Sequence, residues 1–526
     1  MMIIIYLSNA NIISFISINL RNLKFLKGVF HMQTLYRSTR DPKGQTITAS
    51  QAVLQGLSPD GGLYVPTSIP EIDLDLNELK DLSYQDLAYK ILRPLFSDYT
   101  DEELRSCIDK AYGDQWDTQE IAPVDYHADN AYLELFHGPT IAFKDVALQL
   151  LPHLMTVAAK KNGSDKDIVI LTATSGDTGK AAMAGFADVP HTQIIVFYPK
   201  DGVSAIQEKQ MLTQTGKNTH VVGITGNFDV AQTNVKKLFN DKELAETIAK
   251  AGYQFSSANS INIGRLFPQI VYYFYAYGKL VKDGRISVGD KINFSVPTGN
   301  FGDILAGWFA KKLGLPVNKL ICASNKNNIL TDFFNEGTYD KNRPFYVTSS
   351  PSMDILVSSN LERLLFYVSG EDANKTAELM NQLSVSGIYT IDSDMRAKLA
   401  DFAADFATED ETAAEISRIF SADKTAIDPH TAVASKAAES YKANTGDDSP
   451  LVVVSTASPC KFPQAVLNAL DAKGKDEEGL EAVKYLQEKI SVKLPETVQR
   501  LFDAPTLHDT VVSPDEMKDT VVEILK

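Results

Sequence analysis

Lys144 is the residue whose surroundings in this sequence best suit covalent chemistry. It stands in HGPTIAFKD, between His137 and Asp145, after a Gly-Pro turn and before an apolar run, VALQLL, that is typical of a helix. A lysine at the start of a helix, shielded by Ala142 and Phe143, loses its charge more readily than one in water. A neutral amine forms Schiff bases with aldehydes, so Lys144 is a candidate for covalent catalysis, with a solvated helix lysine as the ordinary alternative.

Two glycine-rich loops have the composition of anion-binding sites. TSGDTGK (residues 174–180) is not a nucleotide P-loop, because Thr174 stands where that motif needs glycine and Ala181 where it needs Ser or Thr. It still offers backbone N–H groups and hydroxyls at a helix N-terminus, which suit a carboxylate or phosphate, or an ordinary capped turn. TGNFGD (residues 298–303) suits a phosphate for the same reason, although Asp303 fits better as a helix cap than beside an anion.

A third polar stretch, NSINIGRL (residues 259–266), carries Arg265 among short polar side chains. An arginine in that setting can bind a phosphate through paired hydrogen bonds, and a surface arginine is the alternative. His430, in DPHTAVA, precedes a predicted helix and is interpreted as a structural or capping residue. The three cysteines are widely separated and fit no metal-ligand pattern, so no metal site is predicted.

Composition narrows the class of protein. The 526 residues carry a net charge of −16, and 44% of them are apolar. A chain of this length is too long to fold around a single ordinary hydrophobic core, so we expect two or three domains. The negative charge disfavours nucleic acid and anionic membranes as partners, and any anion therefore needs a local site. Three cysteines without a disulfide pattern are typical of a reducing cytoplasm.

The first 31 residues differ from the rest of the chain. They are rich in Ile, Asn, Leu, Phe and Lys and contain no acidic residue. Polar residues interrupt each apolar run before it reaches about 18 residues, so no membrane span is predicted. A targeting peptide is the second interpretation, but the segment lacks a basic start and a small-residue cleavage site. We expect residues 1–31 to be an extension outside the fold.

The remaining residues predict an α/β architecture. Residues 32–122 have the periodicity of a small, mainly helical N-terminal domain. Residues 123–526 alternate buried apolar strands with helices, which predicts two doubly wound lobes with mostly parallel sheets and a helical segment at about 353–449. TSGDTG, TGNFGD and STASPCKF each follow a predicted strand. They should therefore lie at the carboxyl ends of the strands, where such sheets bind ligands.

Taken in order, HGPTIAFKD, TSGDTGKAA, NSIN with the following Arg265, PTGNFGD and STASPCKF resemble the motifs of threonine synthases of the longer type. SQAVLQGLSPDGGLYVP resembles the N-terminal signature of that family, and the resemblance runs from about residue 32 to the C-terminus. It implies a fold type II enzyme that uses pyridoxal 5′-phosphate (PLP) to convert O-phosphohomoserine and water into threonine and phosphate. One departure is that Ser458 stands where the family usually has a histidine, which bears on proton transfer or on binding of the substrate phosphate.

The resemblance also implies a role for individual residues. Lys144 would hold the cofactor covalently and shuttle protons, and Ser455 is the alternative to Thr456 opposite the pyridine nitrogen. The residues implied to bind the cofactor are Lys144, Asp177, Gly299, Asn300, Phe301, Gly302, Asp303 and Thr456. The residues implied to bind the substrate are Thr174, Ser175, Gly176, Ser260, Asn262, Arg265 and Lys461.

Two other functions remain open on the sequence. Another fold type II PLP enzyme, such as a threonine dehydratase or a sulfur-amino-acid synthase, would act on a substrate without a γ-phosphate and would not need a second anion pocket. A non-catalytic relative that binds phosphorylated ligands would not need an intact lysine and phosphate loop. The expected partner is a small-molecule substrate, without nucleic acid or membrane, in a cytoplasmic monomer or homodimer.

Overall fold

Apolar side chains alternate between two cores along the central strands. In Leu451–Ser455, Val452 and Val454 pack into one core, whereas Leu451 and Val453 pack into another. Because successive side chains of a strand point to opposite faces, such a strand must be covered on both sides. The computed structural model, which describes residues 33–526 except 129, 175, 201 and 491–493, has this layered arrangement.

The strands form two large and two small sheets. They are β1 (Tyr36–Ser38), β2 (Thr46–Ile47), β3 (Tyr64–Pro66), β4 (Val124–His127), β5 (Asn130–Glu134), β6 (Asp167–Ala173), β7 (Thr192–Pro199), β8 (Thr219–Ile224), β9 (Tyr253–Ser256), β10 (Ile292–Pro297), β11 (Val317–Ser324), β12 (Thr338–Asp340), β13 (Ile388–Thr390), β14 (Phe402–Phe406), β15 (Leu451–Ser455) and β16 (Val511–Val512). The six-stranded sheet has the order β14-β11-β10-β15-β5-β4, and β4 alone runs antiparallel to its neighbour. The five-stranded sheet, β16-β8-β7-β6-β9, is parallel throughout.

Helices cover these sheets. They are α1 (Ala49–Gln55), α2 (Tyr84–Leu95), α3 (Asp101–Ala111), α4 (Lys144–Leu148), α5 (Leu151–Lys161), α6 (Asp177–Phe186), α7 (Ala205–Leu212), α8 (Phe228–Asn240), α9 (Lys242–Lys250), α10 (Ile263–Leu266), α11 (Pro268–Lys282), α12 (Gly302–Lys312), α13 (Ile329–Glu336), α14 (Leu361–Val368), α15 (Ala373–Val385), α16 (Ser393–Ala397), α17 (Glu409–Asp423), α18 (Pro429–Thr445), α19 (Pro463–Ala469), α20 (Gly479–Ile490), α21 (Glu496–Gln499) and α22 (Met517–Ile524). Within the described ranges, no helix combines the length and apolar composition needed to cross a membrane.

The N-terminal part is small and mainly helical, as predicted. A three-stranded antiparallel sheet, β2-β1-β3, accompanies α1, α2 and α3. Capping boxes start two of these helices: Thr48 with Gln51 before α1, and Thr100 with Glu103 before α3. Each cap satisfies N–H groups that the first helical turn leaves without a carbonyl partner. The predicted extension, residues 1–31, lies outside the described residues.

The segment at about 353–449, predicted to be helical, also contains strands. The predicted helical segment includes residues 395–420, but β14 (Phe402–Phe406) lies within them and pairs in parallel with β11 at the sheet edge. The prediction was wrong there because the alanines of FAADF favour a helix locally, whereas pairing along an exposed sheet edge is a tertiary gain that local periodicity does not report.

The three polar loops leave strands of the two large sheets. TSGDTG follows β6 of the five-stranded sheet, whereas TGNFGD and STASPCKF follow β10 and β15, which are neighbours in the six-stranded sheet. Each loop therefore lies at the carboxyl end of a parallel strand, as predicted. The packing of the segments that connect these loops determines which of their side chains come together.

Candidate active site

Lys144 is placed by a tight turn and by pairing with the loop after β15. Thr140 donates from its backbone N–H and its hydroxyl to the two carboxylate oxygens of Asp145, both at 2.7 Å, which closes the turn around Lys144. The N–H of Phe143 donates to the carbonyl of Thr456 at 2.8 Å. The lysine backbone is therefore held on both sides before any ligand binds.

The amine of Lys144 lies in a nearly buried, charged environment. Its side chain is 11% exposed, and Nζ lies 3.2 Å from Ser352 Oγ and 3.4 Å from Asp177 Oδ2. Burial lowers the pKa of Lys144; Asp177 opposes this shift, whereas the positive charges of Lys461 and Arg265 add to it. A lowered pKa increases the neutral fraction of the amine, which is the form that attacks an aldehyde or removes a proton.

Asp177 is the counter-charge of this cluster. Its Oδ1 lies 3.1 Å from Lys461 Nζ and accepts from Gln207 Nε2 at 2.8 Å, and its Oδ2 accepts from Ser352 Oγ at 2.7 Å. Burial alone would raise the pKa of Asp177, but the two lysines and these hydrogen bonds hold it well below its usual range. Asp177 is therefore an ionised carboxylate at the N-terminus of α6 that contacts both Lys144 and Lys461.

The TSGDTG loop is structured by its own side chains. The hydroxyl oxygen of Thr174 accepts from the N–H groups of Gly176 (3.0 Å) and Gly179 (2.9 Å). Gly176 has φ of +133°, and a Cβ there would lie 2.4 Å from the side chain of Gln207. The N–H of Gly176, predicted to bind the substrate carboxylate, is thus already used within the loop. Ser175, also predicted to bind substrate, lies outside the described residues.

Residues 299–302, predicted to bind a phosphate, form the loop that leads into α12, which we term the anion-binding loop. Across the described chain, their backbone N–H groups donate to no carbonyl or side chain, while the carbonyl of Gly299 accepts from Ser358 Oγ at 2.7 Å. Phe301 adopts the left-handed conformation, with φ of 63°, and its ring is buried. A Cβ on Gly299 would lie 2.5 Å from the carbonyl oxygen of Ser352. Free N–H groups at a helix N-terminus suit a phosphate, and glycine lets the loop approach the Ser352 turn.

Arg265 is a buried cation without a carboxylate partner in the described ranges. It is 4% exposed, its Nη1 donates to the carbonyl of Ala258 at 3.0 Å, and its Nε has no hydrogen-bond partner there. Burial lowers its pKa to about 10, so it stays charged at neutral pH, close enough to Lys144 to lower the pKa of that amine. A buried charge left unpaired is costly, which makes Arg265 a ready site for an anionic group.

Two other residues of the same stretch, also predicted to bind substrate, make hydrogen bonds within the protein. Asn262 caps α10, and its amide donates to the carbonyls of Val53 (2.9 Å) and Ser257 (3.2 Å). Both amide protons are used, so Asn262 has no donor left for a phosphate. Ser260 is partly exposed, and its hydroxyl donates to Asn259 at 3.3 Å. The structure therefore groups Arg265, rather than the whole NSIN run, with Lys144.

Asp303 does not cap α12, which has no side-chain cap. Its Oδ1 accepts from the hydroxyls of Tyr272 (2.6 Å) and Tyr273 (2.8 Å), and its Oδ2 is buried with no partner among the described residues. Burial raises the pKa of Asp303 to about 6. On the neighbouring strand end, Ser455 Oγ lies 3.0 Å from Thr431 Oγ1. The hydroxyl of Thr456 makes no such contact within the described residues, which keeps it available to a ligand.

Sequence reasoning missed Ser352 and Gln207, which both contact Asp177. Ser352 lies in a 3-10 turn, Pro351–Met353, and Gln207 lies in the first turn of α7. Neither residue belongs to a motif with a distinctive spacing, so the sequence contained no signal for them. His430, predicted to be structural, caps nothing itself but accepts from the N–H of Ser352 at 3.1 Å.

Comparison with known proteins covers almost the whole described chain. Residues 35–112 match the family model described as threonine synthase N terminus, residues 131–457 match that of the pyridoxal-phosphate dependent enzymes, and residues 431–521 match the C-terminal model of threonine synthase.

Individual relatives agree with the family models. The chain is 39% identical over 468 residues to threonine synthase of Saccharomyces cerevisiae, covering 83% of this chain and 89% of the relative. It is 40% identical to threonine synthase-like 1 of Homo sapiens, covering 81% of this chain and 58% of that longer relative. The crystal structure of PLP-bound threonine synthase from Brucella melitensis superposes with a TM-score of 0.83 at 36% identity, covering 94% of this chain and 100% of that one.

Proposed function

Since the chain belongs to the threonine synthase family of PLP-dependent fold type II enzymes, we propose that it converts O-phosphohomoserine and water into L-threonine and phosphate. The observation that carries this proposal is one buried lysine flanked by two sites for anions. Lys144 contacts Ser352, whose carbonyl lies against Gly299 in the loop with free N–H groups. On Arg265, Nε has no partner among the described residues, and its charge is close enough to lower the pKa of Lys144. A cofactor phosphate and a substrate phosphate each require one such site.

The residues present fit the cofactor. Lys144 supplies the amine, and residues 299–302 supply N–H donors at the N-terminus of α12. The free hydroxyl of Thr456 follows β15 and is a neutral partner for the pyridine nitrogen. When bound, PLP withdraws electrons from the substrate and makes its α-proton acidic. A hydroxyl opposite the ring nitrogen, in place of a carboxylate, moderates that withdrawal.

Lys144 is the group that moves protons. Once free of the cofactor, the neutral Nζ of Lys144 would remain tethered where it can remove the α-proton of the substrate. The reaction also removes a proton from the β-carbon and expels phosphate from the γ-carbon. Water then adds its hydroxyl at the β-carbon, and protons return to the α-carbon and to the γ-carbon, which becomes the methyl group of threonine. Lys144 can return protons as well as take them, because burial keeps its pKa below that of a solvated lysine.

Arg265 and Lys461 are proposed to act on the substrate phosphate in different ways. Arg265 has a buried Nε without a partner and can donate to phosphate directly. Lys461 is fully buried, donates to the carbonyl of Thr140 at 2.9 Å and pairs with Asp177, so it contributes charge more than free donors. Asn262 is left out of the phosphate site because its amide protons are committed.

One experiment tests the proposal and separates its rivals. Wild-type enzyme loaded with PLP should release equimolar phosphate and threonine from O-phosphohomoserine. Lys144→Ala should lose both activities and the absorbance of the lysine-bound cofactor, whereas Lys160→Ala, which changes an exposed helix lysine, should keep them. Deamination of threonine or serine without phosphate release would identify a dehydratase. A loaded protein that binds phosphohomoserine without turnover would identify a non-catalytic relative.

Cellular setting and organisation extend the proposal. We infer a cytoplasmic enzyme, supported by three buried, free cysteines, with a small-molecule substrate as its partner. The division into residues 1–31, 32–122 and 123–526, and a monomeric or homodimeric state, stay predictions.

A further inference from the structure

The turn Pro351–Met353 is wedged between the anion-binding loop and α18. On one side, the N–H of Ser352 donates to Nε2 of His430 at 3.1 Å. On the other side, the carbonyl of Ser352 lies against Gly299, where a Cβ would come within 2.5 Å of its oxygen. The backbone of Ser352 is thus positioned by contacts from two separate elements.

Asp428 determines which nitrogen of His430 accepts. Nδ1 of His430 lies 2.7 Å from Asp428 Oδ1, and that carboxylate oxygen also accepts from the N–H of His430 at 2.9 Å. A carboxylate can only accept, so Nδ1 carries the proton and Nε2 is left with a lone pair. The ring packs against Phe462 with centroids 4.8 Å apart, and His430 is 2% exposed. His430 therefore presents a single acceptor in a single orientation to Ser352.

Hydrogen-bond directions around Ser352 follow from its one proton. Ser352 Oγ donates that proton to Asp177 Oδ2 at 2.7 Å, so the 3.2 Å contact with Lys144 Nζ must be donated by the lysine. Asp177, a carboxylate, can likewise only accept from Lys144, at 3.4 Å. A neutral amine has two N–H bonds and one lone pair. Both N–H bonds point at acceptors in this arrangement, and the lone pair of Lys144 is left unused.

We propose that Ser352 is a positioning residue for Lys144, held in place by His430 and Asp428, and that it orients the free amine so that its lone pair is available to take a proton. The inference rests on the proposed function, since it concerns the stage at which Lys144 is not bound to the cofactor. It assigns to the buried His430 the role of a positioning residue that acts through Ser352 and touches neither substrate nor cofactor.

Matched variants separate this role from simple stability. Ser352→Ala removes the hydroxyl, and we expect kcat to fall about 10- to 100-fold, as for a misplaced reacting group, with KM changed less than about twofold. Ser352→Thr restores the hydroxyl and should recover most of the loss. His430→Leu should lower kcat similarly, whereas His430→Gln, whose amide oxygen can reach the N–H of Ser352, should lose much less.

A second readout does not depend on turnover. Covalent capture of PLP by the apoenzyme, followed by absorbance, also needs an oriented Lys144 amine, so Ser352→Ala and His430→Leu should slow it and His430→Gln should not. If wild-type enzyme captures PLP but makes no threonine, the proposed function fails while this inference is still tested.

A double-mutant cycle completes the test. Because His430 acts through Ser352, the double variant Ser352→Ala/His430→Leu should be no slower in capture or turnover than Ser352→Ala alone. If the fold-losses of the two single variants multiplied in the double variant, the two residues would act independently, and the inference would be overturned. Unchanged capture and kcat in Ser352→Ala would overturn it equally.

Discussion

Asp177→Asn tests whether one carboxylate balances the buried charges of this site. The substitution keeps the shape of the side chain but removes the negative charge between Lys144 (3.4 Å) and Lys461 (3.1 Å). It also replaces one accepting oxygen by an NH2 group. In the wild type both carboxylate oxygens of Asp177 accept a hydrogen bond, one from Gln207 and the other from Ser352. At least one donor would then face another donor.

The expected cost is large because the two lysine side chains are almost completely buried. The side chain of Lys461 is 0% exposed and that of Lys144 is 11% exposed. Two unit charges about 3 Å apart attract by roughly 5 kcal/mol at an effective dielectric constant of about 20. Breaking a buried pair by removing one partner typically costs about 3–5 kcal/mol. We therefore expect Asp177→Asn to lower the unfolding free energy of the apoenzyme by about 3–5 kcal/mol.

Urea unfolding of the apoenzyme, followed by tryptophan fluorescence, measures this loss. The double variant Asp177→Asn/Lys461→Met should be more stable than Asp177→Asn alone, because it removes the uncompensated charge. Burial already lowers the pKa of Lys144, and the single variant lacks the Asp177 charge that opposes this shift, so the folded-state pKa of Lys144 falls further below its unfolded value. The unfolded state then binds more protons, so stability should rise more steeply than in wild type as the pH approaches about 10, the unfolded value of lysine.

The reasoning fails if Asp177→Asn unfolds within about 1 kcal/mol of wild type, since small losses are typical of surface changes. It also fails if adding Lys461→Met lowers stability further. Either result would mean that solvent, rather than Asp177, neutralises the lysines.

Two further substitutions address the anion-binding loop and its neighbour. Asp303→Asn should raise the unfolding free energy at pH 8 by about 1–3 kcal/mol. Burial raises the pKa of the Asp303 carboxyl to about 6, so its contribution to stability is present below about pH 4 and is lost as the pH rises through 6. Equal urea midpoints of variant and wild type at pH 8 would contradict this. Gly299→Ala should weaken PLP binding at least about 10-fold, because its Cβ would meet the carbonyl of Ser352 at 2.5 Å, whereas Gly302→Ala, with no atom nearer than 3.6 Å, should bind PLP almost normally. Equal PLP affinity of the two variants in a titration would show that the loop tolerates a side chain at both positions.

Much of the architecture could be predicted because it depends on local sequence patterns of apolar and polar residues. Apolar strands such as β6 and β15 alternate with helices, and this alternation alone predicts parallel sheets covered on both faces. β14 was not predicted because its alanines favour a helix locally, whereas its pairing with β11 at the edge of the six-stranded sheet depends on tertiary structure.

The sequence by itself determined that Lys144 follows a tight turn and that glycine loops follow the strands, since turn, glycine and strand signals depend on neighbouring residues. Only the tertiary structure decided which side chains share the site. It brought Ser352 to Lys144 across 208 residues of chain and the His430 ring to Ser352, and it committed the amide of Asn262 to backbone carbonyls. The physical reason is that hydrogen-bond partners and burial, which set charge, pKa and orientation, are properties of contacts between distant segments.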